Sequence, residues 1–260
     1  MTRYPRWALA PTGVALALLG VPLLGLVLRA NWAELPALLA SDRAVDALRL
    51  SLVTCLISTV LVLLLGVPTA LVLARSRGRW ATAARTLVTV PMVLPPVVAG
   101  LALLTTLGRR GLIGSHLATL GIEIGFTTAA VVIAQTFVSL PFLVISLEGA
   151  LRSAGTDYEA AAGFLGAGPS RVFWRVTLPV AAPALASGTA LAFARALGEF
   201  GATLTFAGSL QGTTRTLPLE IYLLRETDSD LAMALSVVLL AVAGLVVWLA
   251  TRLHAWGTHA

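Results

Sequence analysis

The sequence predicts an all-α membrane protein with six transmembrane helices, and three features carry that expectation. Hydrophobic residues make up 58% of the 260-residue chain and charged residues only 12%, against about 25% charged in an average domain. The apolar residues gather into blocks of roughly 20, the length of helix that crosses ~30 Å of hydrocarbon. The 18 basic residues are all arginine and collect in short segments between those blocks, the bias that orients membrane proteins. The same bias accounts for the net charge of +6, so the basic balance is no signal for nucleic acid.

The first block, Ala8–Leu28, follows Arg3 and Arg6. It is longer than the 7–15 apolar residues of a signal peptide and no small-x-small cleavage site follows, so it is expected to be a retained first helix. Further spans are expected at about Leu50–Ala74, Thr86–Leu107, Phe126–Leu147, Leu178–Leu197 and Leu231–Ala250. Pro68, Pro91, Pro95, Pro96, Pro141 and Pro183 fall inside or beside them. In lipid such residues are tolerated where protein or water covers the freed carbonyls; simple kinking for packing is the alternative reading.

Six spans put both termini on one side. The segment Arg75–Arg85 holds four arginines and no acid, which places it, the basic N-terminal tail and the segment Glu148–Thr177 in the cytoplasm. Asn31–Arg49, Gly108–Gly125 and Glu199–Asp230 are then outward loops. No internal repeat or low-complexity tract divides the chain, so residues 1–260 read as one membrane domain. Cys55 is the only cysteine, and His116, His254 and His259 are scattered, so no metal-ligand cluster can be assembled.

The cytoplasmic stretch Asp157–Pro183, DYEAAAGFLGAGPSRVFWRVTLPVAAP, is the most informative. Asp157–Leu165 reads as a short helix with its acids at the start, where the helix dipole favours them. Gly166, Gly168 and Pro169 break it. Ser170–Thr177 reads as a second short helix with Arg171 and Arg175 on its polar side, and Leu178-Pro179 leads into the fifth span. A helix–turn–helix rich in small residues, between helices 4 and 5, either docks another protein or merely caps the bundle.

This loop resembles the EAA motif of permease subunits in binding-protein-dependent ABC importers. Gly166 is followed by nine residues and then by Val176, Thr177, Leu178 and Pro179, in the family's spacing. Glu159 stands one residue further from Gly166 than the family's pattern, with Ala160 at the usual glutamate place; the run Ala160, Ala161, Ala162 matches. Further segments resemble molybdate permeases: Pro91–Gly100 (PMVLPPVVAG), Phe193–Thr205 (FARALGEFGATLT) and Thr214–Tyr222 (TRTLPLEIY).

The resemblance implies an inner-membrane subunit that passes molybdate, or a related oxyanion such as tungstate, sulfate or thiosulfate, by alternating access. It implies a second permease copy, two cytoplasmic ATPase subunits using ATP and Mg, and an external substrate-binding protein. The chain itself holds no G-x-x-x-x-G-K-[ST] loop and no lysine to grip phosphate. It is therefore expected to be a transport subunit without an ATPase site or cofactor of its own. Residues 157–179 would be the loop that couples to the ATPase.

Candidate pathway residues are the polar side chains of the third to fifth spans: Thr105, Gln135, Ser139, Arg195 and Glu199. Arg195 and Glu199 are four apart and share a helix face. They form either an ion pair that secures the fifth span, the favoured reading, or a patch of positive potential for a passing dianion. Two other classes fit poorly. An intramembrane enzyme needs a nucleophile–base pair or metal ligands in its spans, and no histidine lies in one. An ion-coupled transporter needs buried carboxylates, of which the spans contain almost none.

Overall fold

The computed structural model describes residues 5–257, so Arg3 and His259 lie outside the described residues. Among these residues there are helices and connecting turns but no strands. We number the α-helices α1 (Leu9–Arg29), α2 (Leu35–Leu39), α3 (Asp42–Arg75), α4 (Arg79–Val93), α5 (Pro96–Leu107), α6 (Gly114–Thr119) and α7 (Thr128–Ala154). The chain continues with α8 (Asp157–Phe164), α9 (Pro169–Val172), α10 (Leu178–Leu197), α11 (Gly201–Ala207), α12 (Leu217–Leu224) and α13 (Ser229–Gly257).

Five helices or helix runs are long and apolar enough to span a bilayer: α1, α3, α7, Pro169–Leu197 and Ser229–Arg252. The expected third span, Thr86–Leu107, is not one helix. α4 and α5 meet at Leu94-Pro95 with a bend of 115°. Two consecutive prolines remove two N–H donors, and Pro95 forces Leu94 into an extended conformation (φ −63°, ψ 134°). The pair still runs the length of α7. Ala84 and Val88 of α4 pack near Leu147 and Leu151 at one end, and Ala99 and Leu103 of α5 pack near Ala130 and Val131 at the other. Counted as one broken crossing, the pair brings the spans to six.

Two connections also differ from expectation. Most of Arg75–Arg85 is helical: only Ser76–Gly78 interrupts it, and Arg79 and Arg85 belong to α4. The segment Glu199–Asp230 is not an open loop. Its α11 buries Gly201, Ala202, Thr203, Phe206 and Ala207 against α5 and α7. The reason is compositional: small residues allow backbones to approach where no hydrophobic force separates protein from lipid.

α7 is the central helix, packed most extensively against α3 and α10. α1 packs chiefly along α13 and buries no residue within the chain. Exposed Leu52, Val53, Leu56, Ile57, Val60 and Leu64 recur along one side of α3, a surface suited to lipid, where apolar exposure carries no penalty.

Candidate functional site

The chain carries two groups of functional candidates, at opposite ends of α7. At the α3/α7 C-terminal end, α8 begins after Gly155 and Thr156 and ends in a turn at Gly166, which adopts φ +82°. A left-handed residue there favours glycine. It lets Ala167 N–H donate to Ala162 O at 3.0 Å and close the helix end. The tip is apolar and bare: Phe164 is 92% exposed and Leu165 89%. Ala160 and Ala161 are exposed beside it and Ala162 is half-buried.

The expected second short helix is not separate. α9 passes through a π turn, Phe173–Thr177, directly into α10, giving one helical run over Pro169–Leu197. Pro179 lacks the N–H that an α-helix would direct to residue 175, and the wider turn accommodates the missing donor. Val176 and Leu178 are half-buried and Pro179 exposed at this junction.

Glu159 joins these parts. Its Oε1 lies 2.7 Å from Arg75 Nη2, at the end of α3, and accepts a 2.7 Å hydrogen bond from Thr177 Oγ1. Arg75 Nη1 also donates to Leu151 O of α7 at 3.2 Å. One carboxylate thus links the α8 loop to three spanning segments. Glu159 faces the bundle, while Phe164 and Leu165 at the tip are exposed. Nearby, Arg85 Nε pairs with Glu148 at 2.5 Å. Its Nη2 donates to Leu73 O and Ser76 O, closing the end of α3. No sequence pattern signalled either Arg75–Glu159 or Arg85–Glu148, because the partners are 84 and 63 residues apart.

At the other end, the segments PMVLPPVVAG and GEFGATLT come together. A Cβ on Gly100 would lie 2.7 Å from Ala202 O, and one on Gly201 would lie 2.7 Å from Pro96 Cβ, so α5 and α11 meet backbone to backbone. Glu199, 1% exposed, accepts a 2.7 Å hydrogen bond from Ala202 N–H at the start of α11. Its other oxygen pairs with Arg195 at 2.5 Å. The TRTLPLEIY segment is drawn in as well. Ser51 Oγ of α3 accepts from Leu217 N–H at 2.6 Å, Arg215 pairs with Glu220 at 3.3 Å, and the Phe200 and Tyr222 rings stand 5.0 Å apart.

The five candidate pathway residues do not form one surface. Gln135 and Ser139 are buried inside the helix layer. Gln135 Nε2 reaches Cys55 Sγ at 3.5 Å, and Ser139 Oγ donates to Gln135 O at 2.5 Å. Arg195 is partly exposed, its charge met by Glu199. Thr105 is exposed on α5 beside the exposed Val97, Val98 and Leu101, and its hydroxyl bonds back to Leu101 O and Ala102 O. Thr105 is the candidate on an open face.

A bundle of long apolar helices with one broken crossing and an exposed tip between its fourth and fifth spans defines a multi-pass membrane protein. Residues 42–255 match the family of binding-protein-dependent transport system inner membrane components, and the chain belongs to that family. It is 59% identical to the molybdenum transport system permease protein ModB of Mycobacterium tuberculosis, over 95% of this chain and 93% of that one. It is 33% identical to the sulfate transport system permease protein CysT of Escherichia coli, over 88% and 84% of the two chains. Its fold is similar to that of a bacterial alginate ABC transporter crystallised with a periplasmic protein bound to alginate pentasaccharide. There the TM-score is 0.70 at 20% identity, covering 94% and 91% of the chains.

Proposed function

We propose that this chain is the permease subunit of an ATP-driven importer for molybdate. The similarity to a molybdenum permease along nearly the full length of both chains carries the reading. The segments that resemble molybdate permeases also meet one another through α5, α11 and α12. Two copies form the pathway between them, with the α5 face of Val97, Leu101 and Thr105 turned toward it. Both termini and the α8 tip lie in the cytoplasm, where each tip seats in one of two ATPase subunits. An external binding protein supplies the anion on the opposite side.

The geometry supports a simple transmission. Phe164 and Leu165 take up the motion of the ATPase. Gly166 holds the turn, and Glu159 passes the displacement to α3 through Arg75 and to α10 through Thr177. Closure on ATP draws the two tips together and opens the pathway outward; hydrolysis returns it. Arg195 and Glu199 secure α10 to α11, leaving selection of the anion to the binding protein.

A second reading, a sulfate permease, is favoured by the similarity to CysT. Uptake of radiolabelled molybdate into proteoliposomes holding permease, ATPase and binding protein separates the two. Saturable, ATP-dependent uptake blocked by tungstate and not by sulfate is the expected result. Equal competition by sulfate replaces molybdate with sulfate, and no uptake of either anion by an active complex defeats both.

A further inference from the structure

A polar cavity of about 420 Å³ opens between the C-terminal ends of α3 and α7, walled by Arg75, Ser76, Arg77, Arg152, Gly155 and Thr156. None of its lining residues is acidic. Of the nearby carboxylates, two are engaged by arginine, Glu159 with Arg75, and Glu148 with Arg85 and, at 3.5 Å, Arg152; Asp157, next to Thr156, is exposed and outside the lining. Arg77 has no ion pair or hydrogen bond among the described residues, and Arg75 Nε is buried without a partner. The cavity therefore gathers three guanidinium groups, of which Arg77 is free of any ion pair among the described residues and Arg75 keeps one buried N–H without an acceptor.

Its depth narrows the choice of anion. The apolar part of α3 ends at Ala74 and that of α7 at Leu151, immediately before the arginines that wall the cavity. Exposed Trp80 follows on α4, a residue type that settles at head-group level. Basic pockets between helices at this depth suit anionic head groups, and paired guanidinium groups match the two free oxygens of a phosphate.

We infer that this cavity binds the phosphate of an anionic phospholipid. The site lies against Arg75, and through it against the Glu159 link, so a bound lipid would brace the base of the α8 loop. The inference requires the ends of α3 and α7 to lie at the membrane surface; it does not depend on which anion is carried.

The test uses the full-length permease in neutral detergent, offered equal amounts of phosphatidylglycerol and phosphatidylcholine, with retained lipid counted by native mass spectrometry. We expect phosphatidylglycerol to be preferred about tenfold, falling to about twofold or less in Arg77→Gln/Arg152→Gln. Arg43→Gln/Arg110→Gln, which removes two exposed arginines on other segments, should keep the preference. Arg75 is left intact because it also holds the loop. Equal loss in both variants, or no preference in the wild type, overturns the site. Displacement of the lipid by millimolar inorganic phosphate or molybdate would make it a site for a free oxyanion and overturn the lipid assignment. Loss of the lipid on assembly with the ATPase would assign the cavity to acidic side chains of that partner, with the same consequence.

Discussion

The two ends of α7 are held by different physics. At the α8 end, Leu73, Val144, Leu147 and Leu151 form an apolar cluster, Arg75–Glu159 and Arg85–Glu148 join the segments around it through partly exposed arginines, and the apolar tip stands exposed. At the α11 end, α5 and α11 approach until Gly100 and Gly201 leave no room for a side chain, and the carboxylates Glu199 and Glu220 are enclosed. The Arg75–Glu159 pair, partly exposed on both sides, contributes little stability, whereas Glu148 is buried. Close packing does not deform continuously, and added volume costs energy at once. The α8 end thus leans on partly exposed ion pairs beside its apolar packing, and the α11 end on close backbone approach.

Gly100→Leu is the strongest test of the α11 end. Its side chain must displace the Ala202 backbone, and overpacking should cost about 3 kcal/mol. In a chain of this size that is a fall of roughly 6–12 °C in the thermal midpoint, measured in detergent by intrinsic fluorescence. A shift below about 1 °C would mean that α5 and α11 are not packed as described.

A smaller effect is expected at the turn behind the tip. Gly166→Ala places a Cβ at φ +82° and should destabilise the turn by about 1 kcal/mol, while a Cβ there meets no neighbour within 4 Å. Global stability should change little, and faster amide exchange should be confined to 160–170. Exchange spreading into α7 would erase the contrast between the two ends.

Weaker still is the coupling of Arg75 to Glu159. A double-mutant cycle with alanine should give about 0.5–1 kcal/mol, discounted for partial exposure. A value above about 3 kcal/mol would place this link among buried pairs and remove the contrast with the α11 end. Phe164→Ser, at a side chain 92% exposed, should leave stability within about 0.5 kcal/mol. It should nonetheless weaken co-purification of the ATPase. Unchanged binding would remove the tip from the interface.

Much of the architecture was readable from hydrophobicity, because a bilayer demands long apolar helices and supplies no alternative partner for backbone groups. The α8 helix and its glycine stop were equally legible, since Asp157, Gly166 and Pro169 act on their own neighbours. Hydropathy predicts the third span but averages over Leu94–Pro96 and so registers no 115° break there. The helix α11 within Glu199–Asp230 carries no signal in hydropathy because it is short and rich in small residues, and it is stabilised by α5 and α7 rather than by its own periodicity. Gln135 and Ser139 drew attention as polar residues in a span, yet their place in the packed layer depends on α3 lying across them.

Local chemistry along the chain determined the helices, their likeness to permeases and the loop that ends at Gly166. The tertiary structure alone decided which glycines meet, that Glu159 turns inward to Arg75 and Thr177, and that Arg77 and Arg152 share a cavity. Helix formation depends on residues within a turn or two of one another. Close approach and charge pairing depend on surfaces brought together from segments 60 to 170 residues apart, a distance over which no local pattern in the sequence carries information.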